Sequence, residues 1–159
     1  MDSFDRETDA KSGALIFAPL GSDRPLFEAQ LKRSRLPTRD LNKPNQTVWA
    51  LRHVERILGF VCLEAYGSTA LLRSLVVLPE SRGQGFGREL VRRALELARE
   101  LRFRELWLAT EDADGFFRDQ GWRLRDRGDL PAVLVRTPEF ASAGRLIMSR
   151  PVAELAPAT

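Results

Sequence analysis

Cysteine and histidine each occur only once in this 159-residue chain, as Cys62 and His53. A single cysteine excludes an internal disulfide framework and a cysteine-rich metal site. It lies in the apolar run Gly59-Phe60-Val61-Cys62-Leu63, which marks it as a small core residue. A lone histidine, with no second His and no His–Glu spacing beside it, provides neither a zinc site nor the base of a Ser-His-Asp triad, so no metal is expected. Long apolar runs are also missing. The longest are strand-sized, whereas a membrane span needs about 20 residues, so no membrane partner is expected. Nor does one sign of charge dominate: 25 basic residues are offset by 22 acidic ones scattered among them, for a net charge of +3. That balance argues against a nucleic-acid partner and leaves a small positive excess for an anionic cofactor.

What is present is a soluble globular composition, 43% apolar and 30% charged, at a length that suits one domain. We expect that domain over residues 13–150, with flexible tails at 1–12 and 151–159. The first dozen residues are polar and mixed in charge, without a secretory signature, and a cytoplasmic location is the expectation.

The hydrophobic pattern divides the chain into short elements. Ala14–Ala18 reads as a first strand ended by Pro19; a helix capped by Asp23, with Pro25 in its first turn, runs to about Arg33. Leu36–Asn45 holds two prolines and two asparagines and reads as a loop that could cover a substrate. Val48–Arg52 and Ile57–Tyr66 are strands separated by a polar break, and Leu71–Leu78 is a nearly continuous apolar strand of the kind covered on both faces. From Gly87 to Leu101 apolar residues recur at spacings of three and four, including Leu90, Val91, Ala94, Leu95, Ala98 and Leu101, which specifies an amphipathic helix. Leu106–Ala109 is a strand, Asp112–Gln120 a short helix capped by Asp112 or Asp114 and closed by Gly121, and Trp122–Arg125 an extended piece. A short helix starts near Pro131, and Arg145–Met148 is a last strand. Strands and helices so ordered form a mixed α/β sheet covered by helices.

The segment richest in chemistry joins the central strand to the amphipathic helix: Arg82-Gly83-Gln84-Gly85-Phe86-Gly87-Arg88. Glycine lets a backbone turn tightly and approach a ligand. The first N–H groups of a helix lack internal acceptors and sit at the positive end of its dipole, so a pyrophosphate is the natural guest. A P-loop would need Gly-Lys-Ser/Thr, and a dinucleotide fingerprint needs a G-x-G-x-x-G spacing that the alternating glycines lack. A structural turn that binds nothing is the competing reading.

With its flanks, Leu75-Val76-Val77-Leu78-Pro79-Glu80-Ser81-Arg82-Gly83-Gln84-Gly85-Phe86-Gly87-Arg88-Glu89-Leu90 closely resembles the acetyl-CoA motif of the GNAT acetyltransferase superfamily. A second run, Ala113-Asp114-Gly115-Phe116-Phe117-Arg118-Asp119-Gln120-Gly121-Trp122, is similar to the helix that borders the cofactor in that superfamily. Within it, Leu36–Leu41, Gly59–Gly67, Leu71–Leu75 and the run from Thr137 to Ser142 resemble the arsenic-resistance-associated N-acetyltransferases. The resemblance implies a mostly antiparallel sheet of six to seven strands flanked by helices, and acetyl-CoA as co-substrate. It implies that the backbone of Leu75, Val76 and Val77 binds the pantetheine arm, that Arg82, Gly83, Gln84, Gly85, Phe86, Gly87 and Arg88 hold the pyrophosphate, and that Thr110 and Phe117 border the cofactor. We expect a small-molecule amine as the acceptor, and a homodimer as an admissible assembly.

Acetylating an amine near pH 7 requires a base to remove a proton. Glu64, inside the apolar stretch from Val61 to Tyr66, is the candidate; the alternative is a solvent-facing strand residue. Arg73 is either a bidentate partner for a substrate carboxylate or an ordinary sheet arginine. Many family members carry a tyrosine acid where this chain has Phe117, which donates no proton; Tyr66 could replace it, or the thiolate could leave unaided. Three functions follow in order: a small-molecule N-acetyltransferase working by direct transfer in a ternary complex, a non-catalytic acyl-CoA sensor or interaction module, and a protein or peptide N-acetyltransferase.

Overall fold

The computed structural model describes residues 15–34, 43–141 and 144–152. Most of the expected loop at Leu36–Asn45 and nearly all of both tails lie outside them. Seven strands form one sheet: β1 (Leu15–Pro19), β2 (Gln46–His53), β3 (Arg56–Tyr66), β4 (Thr69–Val77), β5 (Glu105–Thr110), β6 (Arg123–Arg125) and β7 (Leu146–Pro151). Their order across the sheet is β1-β2-β3-β4-β5-β7-β6. The helices are α1 (Arg24–Arg33), α2 (Phe86–Glu100), α3 (Asp114–Arg118), α4 (Ala132–Val135) and α5 (Pro138–Ala141). This is the mixed α/β sheet flanked by helices that the sequence led us to expect. The β4–β5 pair is parallel, with a register running from Thr69 opposite Glu105 to Leu71 opposite Trp107, and β5 pairs antiparallel with β7.

Within the expected single domain the chain divides into two compact units. The first comprises the described residues up to Cys62 together with Ser74–Arg93; the second comprises Leu63–Arg73 and the described residues from Ala94 onward.

In the first unit, β1 pairs antiparallel with β2, Leu15 opposite His53 through Pro19 opposite Trp49. Pro19 is tolerated because β1 is an edge strand, where a missing N–H breaks no ladder. Phe27 of α1 meets Phe60 of β3 with ring centroids 5.3 Å apart, and Leu31, Ala50 and Cys62 join them with no exposed surface. Residues Ile57 to Cys62 of β3 are all buried, the signature of a strand covered on both faces. Asp23 does not cap α1 with its side chain. Its carboxylate instead accepts a charge-assisted hydrogen bond from Arg52, a stronger partner than a backbone amide.

The amphipathic stripe of α2 is close to the expected one, with Leu90, Val91, Ala94 and Ala98 buried. Two positions differ: Leu97 is buried in place of the half-buried Leu95, and Leu101 is 49% exposed. The reason is that the helix stops at Glu100. Arg102 takes a left-handed φ of 67° and the Phe103 N–H bonds back to the Ala98 carbonyl at 3.0 Å, a Schellman closure formed here without glycine.

In the second unit Trp107, Leu134 and Phe140 gather around Leu71 and Ile147, with the Tyr66 ring packed against the cluster. Helix α3 is shorter than expected and is capped by neither Asp112 nor Asp114, since its N-cap position is Ala113. Asp114 pairs with Arg118 at 3.0 Å, and Thr110 Oγ1 accepts the Ala113 N–H. The helix α5 is not among the elements expected from the sequence pattern.

Gly59 allows a close backbone approach in the first unit. A Cβ there would stand 2.6 Å from the Val76 carbonyl oxygen and 2.8 Å from Leu90 Cδ1. The backbone oxygen cannot retreat without moving β4. Gly59→Ala is therefore expected to destabilise the protein by about 1–3 kcal/mol, measured as a lower urea midpoint at unchanged slope.

Candidate active site

The turn after β4 belongs to the first unit. A 3-10 turn, Pro79–Ser81, leads from the strand to Arg82, whose Nε donates to the Val77 carbonyl at 3.1 Å. Gly83 and Gly85 have φ of 76° and 87°, values that side-chain-bearing residues adopt at a cost of about 1–2 kcal/mol. A Cβ built on either would meet nothing within 4 Å. Backbone geometry, rather than packing, thus demands glycine here. The Gly85 carbonyl accepts the Glu89 N–H at 3.1 Å and so opens α2. The N–H groups just before Glu89 lack intrahelical acceptors at the positive end of a 15-residue dipole.

A carboxylate in the first turn of α2 would repel an anion unless it were neutralised. Glu89 accepts hydrogen bonds from Arg92 at 2.6 Å and Arg93 at 2.7 Å. Burial alone would raise its pKa, but the two guanidiniums outweigh burial and lower it. Arg82, Gly83, Gln84, Gly85 and Arg88 are exposed, and Phe86 and Gly87 half-exposed. In the same unit Val76 is buried, with Leu75 and Val77 half-buried on β4.

Thr110 and Phe117 lie in the second unit. Phe117 is 6% exposed and its ring meets Phe116 and Trp122 edge-on, with centroids 5.0 and 5.4 Å away. It packs, and donates nothing.

The second unit also holds Glu64 and Arg73, which the structure brings together. Glu64 Oε2 accepts from Arg73 Nη1 at 3.2 Å and Oε1 accepts from the Tyr66 hydroxyl at 2.7 Å. The Glu64 side chain is 1% exposed and that of Arg73 4%, so neither is the solvent-facing residue that the sequence left open. Arg73 also reaches Glu139 of α5, Nε to Oε1, at 3.3 Å. Glu139 in turn pairs with Arg145 at 3.3 Å. Sequence reasoning missed Glu139 and Arg145 as members of this chain of charges. Thr137-Pro138-Glu139 carries a helix-start signal, but nothing local shows that the glutamate turns inward. Burial raises the pKa of Glu139 and the nearby Glu64 adds to the rise; Arg145 and Arg73 oppose it without cancelling it.

The acetyltransferase (GNAT) family model matches residues 17–122, and the chain belongs to that family. A comparison of the sequence with curated proteins finds no match. Among solved structures, the fold is similar to N-acetylglutamate synthase from Neisseria gonorrhoeae in complex with coenzyme A and N-acetyl-glutamate, at 16% identity and a TM-score of 0.74, over 87% of this chain and 35% of that one. The chain thus spans about a third of that enzyme's length. A GNAT-family acetyltransferase from Staphylococcus aureus matches at 16% identity and a TM-score of 0.66, over 87% of this chain and 99% of that one. A ribosomal-protein alanine N-acetyltransferase from Escherichia coli matches at 17% identity and a TM-score of 0.68, over 91% of this chain and 98% of that one. At these identities the likeness concerns the fold.

The charge network sets a pH-dependent expectation. Because the folded protein binds the Glu139 proton more tightly than the unfolded chain, this residue's contribution to stability is fullest below 4.5, its ordinary value, and is lost as pH rises through its raised folded value. Arg73→Met removes the cation shared by two buried carboxylates, at a cost of about 3–5 kcal/mol at pH 7. The deficit should shrink as pH falls and Glu139 takes up its proton. Urea denaturation of the two proteins from pH 4 to 8 measures it.

Proposed function

We propose that the chain is an acetyl-CoA-dependent N-acetyltransferase that acetylates the amine of a small molecule, an amino acid or related compound, by direct transfer in a ternary complex. The observation that carries the reading is the exposed turn at the start of α2, with two positive-φ glycines whose Cβ positions open on empty space. A pyrophosphate fits this turn because the amides from Gly83 to Arg88 can donate to it at the positive end of the helix. Arg82 and Arg88 add charge, and Glu89 is held by its own arginines. The backbone of Leu75–Val77 takes the pantetheine arm, and Thr110 and Phe117 are assigned cofactor contacts on the resemblance. The bound thioester supplies the activated acetyl group.

Glu64 is the assigned base. Arg73 is committed to two carboxylates, and we now assign it to positioning Glu64 rather than to an acceptor's carboxylate. The likeness to the arsenic-resistance-associated enzymes belongs to this proposal and supports a small acceptor without naming an arsenical. The cytoplasmic location also belongs to it; no helix among the described residues is long and apolar enough to cross a membrane. The buried Phe117 favours one other reading, an acyl-CoA sensor that binds without turning over. A screen for CoA release with the twenty L-amino acids, short alkylamines and peptide N-termini separates these readings.

Calorimetry should show acetyl-CoA binding without added metal; no heat and no thermal shift at millimolar acetyl-CoA would refute the proposal. In Gly85→Val a side chain fills the space kept for phosphate, and affinity should fall at least about 10-fold, or roughly 1.4 kcal/mol, in a protein that remains folded by circular dichroism. Arg88→Glu should weaken binding less, because backbone amides supply most of the contacts.

A further inference from the structure

Glu64 is a base with an access problem. Its side chain is 1% exposed, and both oxygens are engaged, Oε1 by the Tyr66 hydroxyl at 2.7 Å and Oε2 by Arg73 at 3.2 Å. An amine that approached the carboxylate directly would have to expel one of these donors from a buried position. The two donors differ in what they can pass on. A guanidinium has no acceptor site and keeps its protons, whereas a phenolic hydroxyl donates one hydrogen bond while accepting another.

Tyr66 follows Glu64 by two residues on β3, so the two side chains leave the same face of the strand. Its ring is seated on the Trp107 cluster, which holds the hydroxyl in place, and the residue is partly exposed where Glu64 is not. We infer that the incoming amine meets the Tyr66 hydroxyl and that its proton reaches Glu64 through that oxygen. This rests on the acetyltransferase reading above and assigns Tyr66 the contact with the acceptor.

The transfer balances. An N–H bond of the ammonium breaks as an O–H bond forms at Tyr66; the original Tyr66 O–H bond breaks as one forms at Glu64 Oε1. The amine becomes neutral, the phenol is regenerated, and the carboxylate becomes a carboxylic acid. No tyrosinate accumulates, so the high pKa of a phenol is no obstacle. Glu139 makes the buried end of this relay workable. Once Glu64 is neutral, Arg73 still faces the Glu139 carboxylate at 3.3 Å, and Arg145 faces the other Glu139 oxygen at 3.3 Å. Arg73 is therefore never left as an unpaired buried cation, the condition that makes such charges costly. Tyr66 is the only tyrosine in the chain, so one substitution removes all phenolic proton transfer.

The test is a double-mutant cycle of Tyr66→Phe and Glu64→Gln, read as kcat for CoA release with the amine from the screen above that gives most product. Each single variant should lose about 10²-fold. The double variant should be no worse than the poorer single by more than about threefold, because both break one path. Acetyl-CoA affinity by calorimetry should be unchanged throughout. With a weakly basic amine already neutral at pH 7, the Tyr66→Phe defect should largely vanish, which a purely structural defect would not do. Full activity in Tyr66→Phe beside a crippled Glu64→Gln overturns the inference, as does a double variant in which the losses multiply to about 10⁴-fold. A wild-type protein that binds acetyl-CoA but releases no CoA with any amine or peptide instead overturns the enzyme reading, and the relay with it.

Discussion

Arg73 holds Glu64 and Glu139 together at a place where none of the three side chains is more than 7% exposed. An unpaired charge so buried costs several kcal/mol, so each of the three needs the others. Arg145 extends the chain from Glu139 toward the surface, its own side chain 20% exposed. With two guanidiniums against two carboxylates the charges balance, and when one carboxylate takes up a proton Arg73 keeps the other as its partner. The burial that raises Glu139's pKa also keeps bulk water from competing for these protons. The short helix Pro138–Ala141 and the strands that carry Glu64 and Arg73 are thereby tied by ion pairs as well as by the Leu71, Trp107 and Phe140 packing.

A different economy governs the other unit. At the glycine turn, affinity for an anion would come from backbone amides and a helix terminus, and the sequence supplies it by removing side chains rather than adding them. Glu89 illustrates the constraint. It favours the start of a helix by its charge, yet would oppose a phosphate there, and Arg92 and Arg93 on the next turn settle the conflict.

Much of this was legible in the sequence where the determinants are local. The helix Phe86–Glu100 follows from spacings of three and four, the turn from alternating glycines, and the burial of Cys62 from the apolar residues around it, whereas the side to which Glu64 points was left open. Where partners are distant, local reasoning failed. Asp23 looks like a helix cap, but the guanidinium 29 residues away at Arg52 claims its carboxylate. Asp112 and Asp114 look like caps for the helix that Thr110 serves. Leu101 continues a periodic stripe that Arg102 ends by turning left-handed. Glu139 carries no local sign of burial, and only the tertiary position of Arg73, 66 residues earlier in the chain, shows that it faces inward. Pair partners far apart in sequence leave no periodic trace.

The complete burial of Cys62, the only free thiol, also bears on how opening motions of this protein can be observed. It sits on β3 among Phe27, Phe60 and Leu31, so a thiol-modifying reagent reaches it only when that part of the first unit opens. Labelling under native conditions therefore reports the free energy of that opening, one sulfur atom serving where amide exchange would average many. A ligand held at the neighbouring glycine turn would slow the labelling in proportion to how strongly it binds the closed form.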